Sequence, residues 1–329
     1  MRLPRALLRL AALLAPLLLA PLLLALPAAA ATACPEHYAD GEPPRIVRPQ
    51  LARDVVELCF EAYAVLHSGV SRTGLAAAEH LTRDRLQAAR RVSRENAFRE
   101  EDRLPADQRA RLSDYARSGF DRGHLAPAGD MPSRDSQAES FSLANMVPQA
   151  PASNRCLWEG IESAVRDLVM REGEAFVVTG PIFLGDTLRR LNGRVLVPTH
   201  LFKAVYLPGR GAAAYVAPND ASRDWRAVSL AELRDLAGIA AFPSLPDSAQ
   251  AAAIALPEPR PHNIEGACER AVTTASSQPE ARPRATPAPA PPAARPAPAR
   301  VQTSTLTLIV AALFAVVAIL LLLRALGRR

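Results

Sequence analysis

Lysine is almost missing from this chain of 329 residues: Lys203 stands alone among 39 basic residues, so contacts to an oxyanion fall to arginine, whose planar fork offers paired donors. Metal-ligand patterns for zinc are missing too. No His-Glu-x-x-His or paired Cys-x-x-Cys occurs, and His37, His67, His80, His200 and His262 stand at no ligand spacing, which argues against a zinc enzyme. The stretch from Gly69 to Gly74 has one residue too many for a nucleophile elbow and no serine triad suggests itself, so it reads as a turn between strands. No internal repeat is visible. An excess of positive charge is also lacking where it would count. The net charge of +6 resides in the ends: Arg2, Arg5 and Arg9 at one, seven arginines against Glu280 beyond residue 270 at the other. Residues 35 to 270 are slightly acidic, so net charge argues nothing for nucleic-acid affinity. Eleven arginines between Arg83 and Arg122, interleaved with acids, either line a groove or form surface salt bridges, and the sequence leaves both open.

What is present begins with two long apolar runs. Three arginines precede the run from Leu10 to Leu26, which ends at Pro27 and small residues, predicting a secretory signal over 1–33 cut after Ala33. An uncleaved anchor is the alternative, and Ala31 stands where a lipoprotein signal carries leucine, which argues against lipid on Cys34. Leu306 to Leu323 supplies 18 residues with Thr307 as the single polar one, about 27 Å as a helix against a hydrocarbon core of about 30 Å. This predicts a transmembrane helix over 306–323. Arg324, Arg328 and Arg329 follow it, so the positive-inside rule puts the tail 324–329 in the cytoplasm and the folded part, 34–270, on the extracytoplasmic side. Between them, the Pro/Ala-rich linker 271–305 holds eight prolines from Pro279 to Arg300 and reads as an extended stalk. Four cysteines in an exported chain suggest disulfides. Cys34 with Cys59 is the first choice, since it ties the mature N-terminus to the opening strand; Cys156 and Cys268 then pair by default or stay free.

The chemistry is concentrated in 42 residues, from Asp121-Arg122-Gly123-His124 through Asn145 to Asn154-Arg155-Cys156-Leu157-Trp158 and Glu162. Cutting a phosphodiester requires its charge neutralised, a water deprotonated and the departing oxygen stabilised. A histidine with a pKa near neutrality suits the base, and Arg122, two residues from His124, shares its face if the segment is extended. Magnesium keeps most of its waters, so one carboxamide with a carboxylate behind its water shell suffices, and Asn154 and Glu162 supply those groups. Leu157, Ile161, Ala164, Val165 and Leu168 recur at helical spacing, predicting a helix from Asn154 to about residue 170 with Ser153 as N-cap. Each piece is weak alone, because Asp-Arg before glycine is usually a salt-bridged turn. Order and spacing together give the pattern its weight.

These residues resemble the DNA/RNA non-specific endonucleases, the family that includes mitochondrial endonuclease G and secreted bacterial nucleases. Ser118 to Pro127 is similar to its signature and Asn145-Met146-Val147-Pro148-Gln149 to its next block, while Val178 to Phe183, Val197-Pro198-Thr199 and Phe202-Lys203 resemble later strands; the likeness runs over about residues 34 to 247. It implies a ββα-metal (His-Me finger) site in which His124 is the general base, Asn154 the sole protein ligand of Mg2+ (Mn2+ as a substitute) and Glu162 the holder of metal-bound water. Arg122 and Asn145 would position the phosphate, and Arg166 would meet it or its neighbour. Arg94 is the best match for an upstream phosphate-binding arginine, with Arg91 and Arg99 close by. Cys156 departs from the small residue expected there.

Stretches such as Val55 to Leu66, Ala175 to Thr179, Val195 to Leu207 and Ala212 to Ala217 read as strands, and Ser229 to Ala237 as a helix. The expected fold is α+β: a central, mainly antiparallel sheet flanked by helices. The expected activity is Mg2+-dependent hydrolysis of DNA and RNA to 5′-phosphate products. The expected partners are DNA and RNA, the membrane through the C-terminal helix, and a second copy of the chain. The rival readings are a catalytically silent nucleic-acid-binding module on a membrane stalk and a stalked interaction scaffold.

Overall fold

The computed structural model describes residues 32–260 and, beyond them, Cys268. The expected signal up to residue 31, the linker 271–305, the span 306–323 and the basic tail lie outside the described residues. Among the described residues no helix is long and apolar enough to cross a membrane.

The elements that matter for the site run in chain order as strands β1 (Val55–Cys59), β2 (Ala64–Ser68) and β3 (Thr73–Thr82), helix α1 (Arg83–Ala89), strand β4 (Asp121–His124), helix α2 (Arg134–Ser140) and strand β5 (Met146–Gln149). Helix α3 (Glu159–Glu172), strands β6 (Glu174–Ile182), β7 (His200–Leu207), β8 (Gly211–Pro218) and β9 (Arg226–Val228), and helix α4 (Leu230–Ala237) follow. A seven-stranded sheet has the order β9-β8-β7-β6-β3-β2-β1, antiparallel at every step. The expected central antiparallel sheet is present, and residues 69–72 form the turn joining β2 to β3.

At the middle of the sheet lies β3, whose run Leu75-Ala76-Ala77-Ala78 is a poor strand signal on its own. Burial on both faces makes it a strand. Ala77 and Leu81 join the core shared with Ile161, Val165, Leu168 and Val169 of α3, while Ala76 and Ala78 join the opposite core shared with Leu230 and Leu233 of α4. Small side chains let the layers close tightly: a Cβ on Gly180 of β6 would come within 2.2 Å of the Leu75 carbonyl oxygen. Each of the four α3 residues, removed from water, contributes about 1.5–3 kcal/mol, which anchors the helix that carries the site.

The start of that helix differs from the expectation. Pro151 begins it, with its fixed φ already suited to the first turn, and Ser153 is buried inside the helix rather than capping it. From Ser153 to Trp158 the backbone is π-helical before continuing as α3. Gly173, at φ +106°, ends the helix, its N–H donating to Val169 O at 2.8 Å.

Strands β4 and β5 form a separate two-stranded hairpin in the register Asp121 with Gln149 and His124 with Met146. Gly123 permits it, since a Cβ there would lie 2.1 Å from Gln149 Oε1 and 2.7 Å from its Cβ. The hairpin and the helix beginning at Pro151 together make a ββα unit against the main sheet. All four cysteines are paired, Cys34 with Cys59 and Cys156 with Cys268.

Candidate active site

The ββα unit opens into a cleft of about 400 Å³ whose walls include Arg94, Arg122, His124, Asn154, Glu162 and Arg166. Six of the seven expected site residues therefore meet in one place. Strand periodicity puts Arg122 and His124 on one face of β4. The helix side owes its alignment to the π-helical turn. Eight residues of regular α-helix leave two side chains about 80° apart. Taking up one extra residue in a wide turn makes Asn154 and Glu162 equivalent to positions seven apart, about 20° from each other.

Asn145 is the exception. It is wholly buried, its Oδ1 accepts from Ala126 N at 2.9 Å, and its Nδ2 donates to Ala126 O at 2.8 Å and Ser140 O at 2.9 Å. With its carboxamide committed to backbone, it has nothing to offer a phosphate. It instead clamps the segment that leaves His124. Of the three upstream arginines Arg94 lines the cleft, whereas Arg99 is turned to the Ala138 carbonyl of α2.

His124 is buried edge-on to Phe141, with ring centroids 4.9 Å apart, and 5.9 Å from the Phe98 ring. Its Nε2 is buried with no hydrogen-bond partner. Burial, reinforced by the Arg94 charge, pushes its pKa down to about 3. The expectation of a near-neutral pKa is thus corrected for the free protein: the imidazole is uncharged throughout the working pH range.

Asn154 is oriented by a carboxylate. Its Nδ2 donates to Asp121 Oδ2 at 3.0 Å, which leaves the carboxamide oxygen without a protein partner. The same Asp121 takes two bonds from Arg155, at 2.8 and 2.7 Å. Glu162 accepts from Arg166 at 3.4 Å, and Arg166 also donates to buried Asp130. Burial raises the Glu162 carboxyl to about 7, against the opposing charges of Arg166 and Lys203.

Beneath the cleft is a polar layer the sequence did not announce. Glu79 of β3 is fully buried, 3.3 Å from Arg85 of α1, which also donates to the carbonyls of Asp130 and His80. Burial and the Asp130 charge push Glu79 up to about 8, so many molecules hold it protonated at neutral pH despite that contact. Lys203, fully buried on β7, donates to Thr179 Oγ1 at 2.6 Å. The lone lysine is structural. Asp121 could have been found from its place beside Arg122, but Asp130, Arg85 and Glu79 reach the layer only through tertiary packing.

The arginines divide accordingly. Arg103 and Arg109 sit in ion pairs and Arg85 in the buried layer, whereas Arg94 and Arg122 have no carboxylate partner among the described residues. Both open readings of the arginine-rich segment therefore hold, for different residues.

A mixed α/β domain with an antiparallel sheet and a ββα cleft lined by unpaired arginines, a carboxamide, a carboxylate and an uncharged imidazole defines a nuclease-type phosphodiester hydrolase. The family model of the DNA/RNA non-specific endonucleases matches residues 45–248. The chain belongs to that family. It is 36% identical over 189 residues to nuclease C1 of Cunninghamella echinulata var. echinulata, covering 53% of this chain and 74% of that protein. To human mitochondrial endonuclease G it is 35% identical over 176 residues, 48% of this chain and 58% of that one. In a crystal structure of an EndoG/EndoGI complex, described as a mechanism of EndoG inhibition, one chain aligns with a TM-score of 0.53 and 26% identity, over 60% of this chain and 89% of that chain.

Proposed function

We propose that this nuclease cuts DNA and RNA without sequence preference by a metal-assisted attack of water in which His124 is the general base, leaving 5′-phosphate ends. The observation that carries the reading is the meeting of an uncharged imidazole with a carboxamide oxygen and a carboxylate, neither of them neutralised, across one cleft.

The residues suit a hard divalent cation. Asn154 has its amide donors fixed on Asp121 and its oxygen spare, and the raised pKa of Glu162 marks a buried carboxylate that a nearby dication would stabilise in its charged form. Asn154 would hold Mg2+, or Mn2+ in its place, with Glu162 behind its waters. When bound, the ion would supply charge neutralisation at the scissile phosphate and the departing 3′ oxygen.

The chain's own groups do the rest. Arg94 and Arg122, free of carboxylates, hold the phosphate oxygens. An anion against Arg94 offsets the positive charge that lowers the proton affinity of His124, so substrate binding itself makes the imidazole a better base. Arg166, fixed by Asp130, keeps Glu162 in place. No groove-reading element contacts bases from this wall of phosphate-directed groups, which supports low sequence specificity.

The test is plasmid and RNA cleavage by the full chain with and without Mg2+, beside Asn154→Ala. Metal-dependent cleavage of both, lost in the variant, with 5′-phosphate at the new ends is expected; full activity of the variant, or of the wild type in chelator, would refute the scheme.

We also propose that the domain works outside the cytoplasm, held by the apolar segment 306–323. Two disulfides support an oxidising compartment. Protease added to intact cells should remove the domain, and its complete protection would count against this placement.

A further inference from the structure

Beside the cleft, and sharing Arg94, Arg122, Asn154 and Arg155 with it, lies a second cavity of about 420 Å³. Its character differs. The cleft has no aromatic side chain in its walls, whereas the second cavity has Phe98, Tyr115 and Phe120, together with Asn96. The Arg122 guanidinium lies 4.1 Å from the centroid of Phe98, and that of Arg189 lies 4.8 Å from Phe120, so flat apolar and cationic surfaces alternate there. Two polar atoms are left wanting: the Tyr115 hydroxyl and Arg122 Nε are buried with no hydrogen-bond partner. Such groups cost about 1–3 kcal/mol each when unsatisfied, and native structures keep few of them. Burial holds the Tyr115 hydroxyl protonated, as a donor.

We propose that this second cavity is a nucleoside subsite, which takes the base and sugar of the nucleotide adjoining the scissile phosphate while Arg94 and Arg122 hold the phosphate itself. The inference rests on the nuclease reading above. The connection is geometric: the two arginines form the partition between the compartments, so a phosphate bound to them has the strand continuing into the aromatic side. Volume fits as well, since pockets for small organic groups begin at about 300 Å³. Flat faces with guanidinium planes suit any base, because every base has a π-face; the subsite therefore adds affinity and a base-dependent rate without reading sequence. Phe98 and Phe120 are the residues that would set it.

The experiment uses the full chain and oligonucleotides with one cleavable phosphodiester among methylphosphonate linkages. The base on its 5′ or 3′ side is replaced by an abasic analogue. Removal of one of the two bases should lower kcat/KM about 5- to 100-fold, as loss of a stacking contact does, while the other matters little. Phe120→Leu, which keeps apolar volume but not the ring, should cut the intact substrate at the abasic rate and show no further loss on the abasic one; Phe98→Leu is a second variant should the first fold poorly. Equal rates on all substrates, or a variant that slows intact and abasic substrates alike, would overturn the subsite. Binding of the same oligonucleotides in chelator, read by fluorescence anisotropy, separates the two proposals: no cleavage with base-dependent binding sinks the catalytic reading alone, and base-independent binding sinks the subsite alone.

Discussion

The wall of the cleft and the layer beneath it use the same residue types to opposite ends. On the wall, Arg94 and Arg122 face the cavity without carboxylates, one beside Phe141 and the other over Phe98. Below, Arg85 is held by Glu79 and two carbonyls, Arg166 by Asp130 and Glu162, and Lys203 by Thr179. A guanidinium stacked on an aromatic ring keeps its full charge for an incoming anion, whereas one locked to carboxylates has spent that charge on the fold. A basic residue near an active site is thus not by itself a substrate contact. The partner it already has decides.

That contrast can be broken most severely at His124. His124→Ala should lower kcat by about 10²–10⁴ on a supercoiled plasmid with Mg2+ present while leaving the thermal midpoint nearly unchanged, and an unchanged kcat would remove the base from the scheme. Next comes the layer below. Arg85→Ala strips three bonds from buried acceptors and should cost about 2–4 kcal/mol in urea unfolding; a neutral outcome would mean Glu79 is content protonated and alone. Arg122→Ala should do the reverse, lowering kcat/KM by about 10- to 100-fold and flattening the salt dependence of binding by about one unit of slope, with stability intact. A fall in stability matching that of Arg85→Ala would erase the distinction between wall and layer.

The smallest effect is in pH. His37, His67 and His124 are kept neutral by burial, so below about 6.5 the unfolded chain takes up protons the folded one refuses, and stability falls as pH drops. Glu162 and Glu79 act in the opposite sense. Their folded pKa values, about 7 and about 8, lie above the unfolded 4.5, so stability falls as pH rises toward 8. Above 6.5 the carboxyls act without the histidines. Metal-free Glu162→Gln should therefore lose less stability than the wild type between pH 6.5 and 8, a difference of a few degrees in Tm; parallel curves would show that Glu162 ionises freely.

How much of this was legible depended on whether function or packing chose the residue. His124, Arg122, Asn154 and Glu162 must present particular atoms at particular spacings, so their order along the chain betrayed the cleft. The helix stripe Ile161, Val165 and Leu168 was equally readable, because burial against a sheet imposes helical period. Asn145 was misread: its motif marked importance, but a carboxamide can serve a phosphate or a backbone equally well, and burial made the choice. Strand β3 was missed because alanine carries no strand preference, and its conformation is dictated by neighbours on both edges and both faces. Ser153 looked like a cap because Pro151 was not weighed as the first helical residue.

The wide turn from Ser153 to Trp158 makes counting along the chain a poor guide to alignment here. A helix lacking one residue in that stretch, and wound regularly, would present its carboxamide and carboxylate at the same angle as this one does. The extra position is free of the geometric burden carried by its neighbours, and this turn also contains Cys156, the covalent link to Cys268. An insertion absorbed as a bulge gives the catalytic helix room for a crosslink without rotating the groups on either side of it.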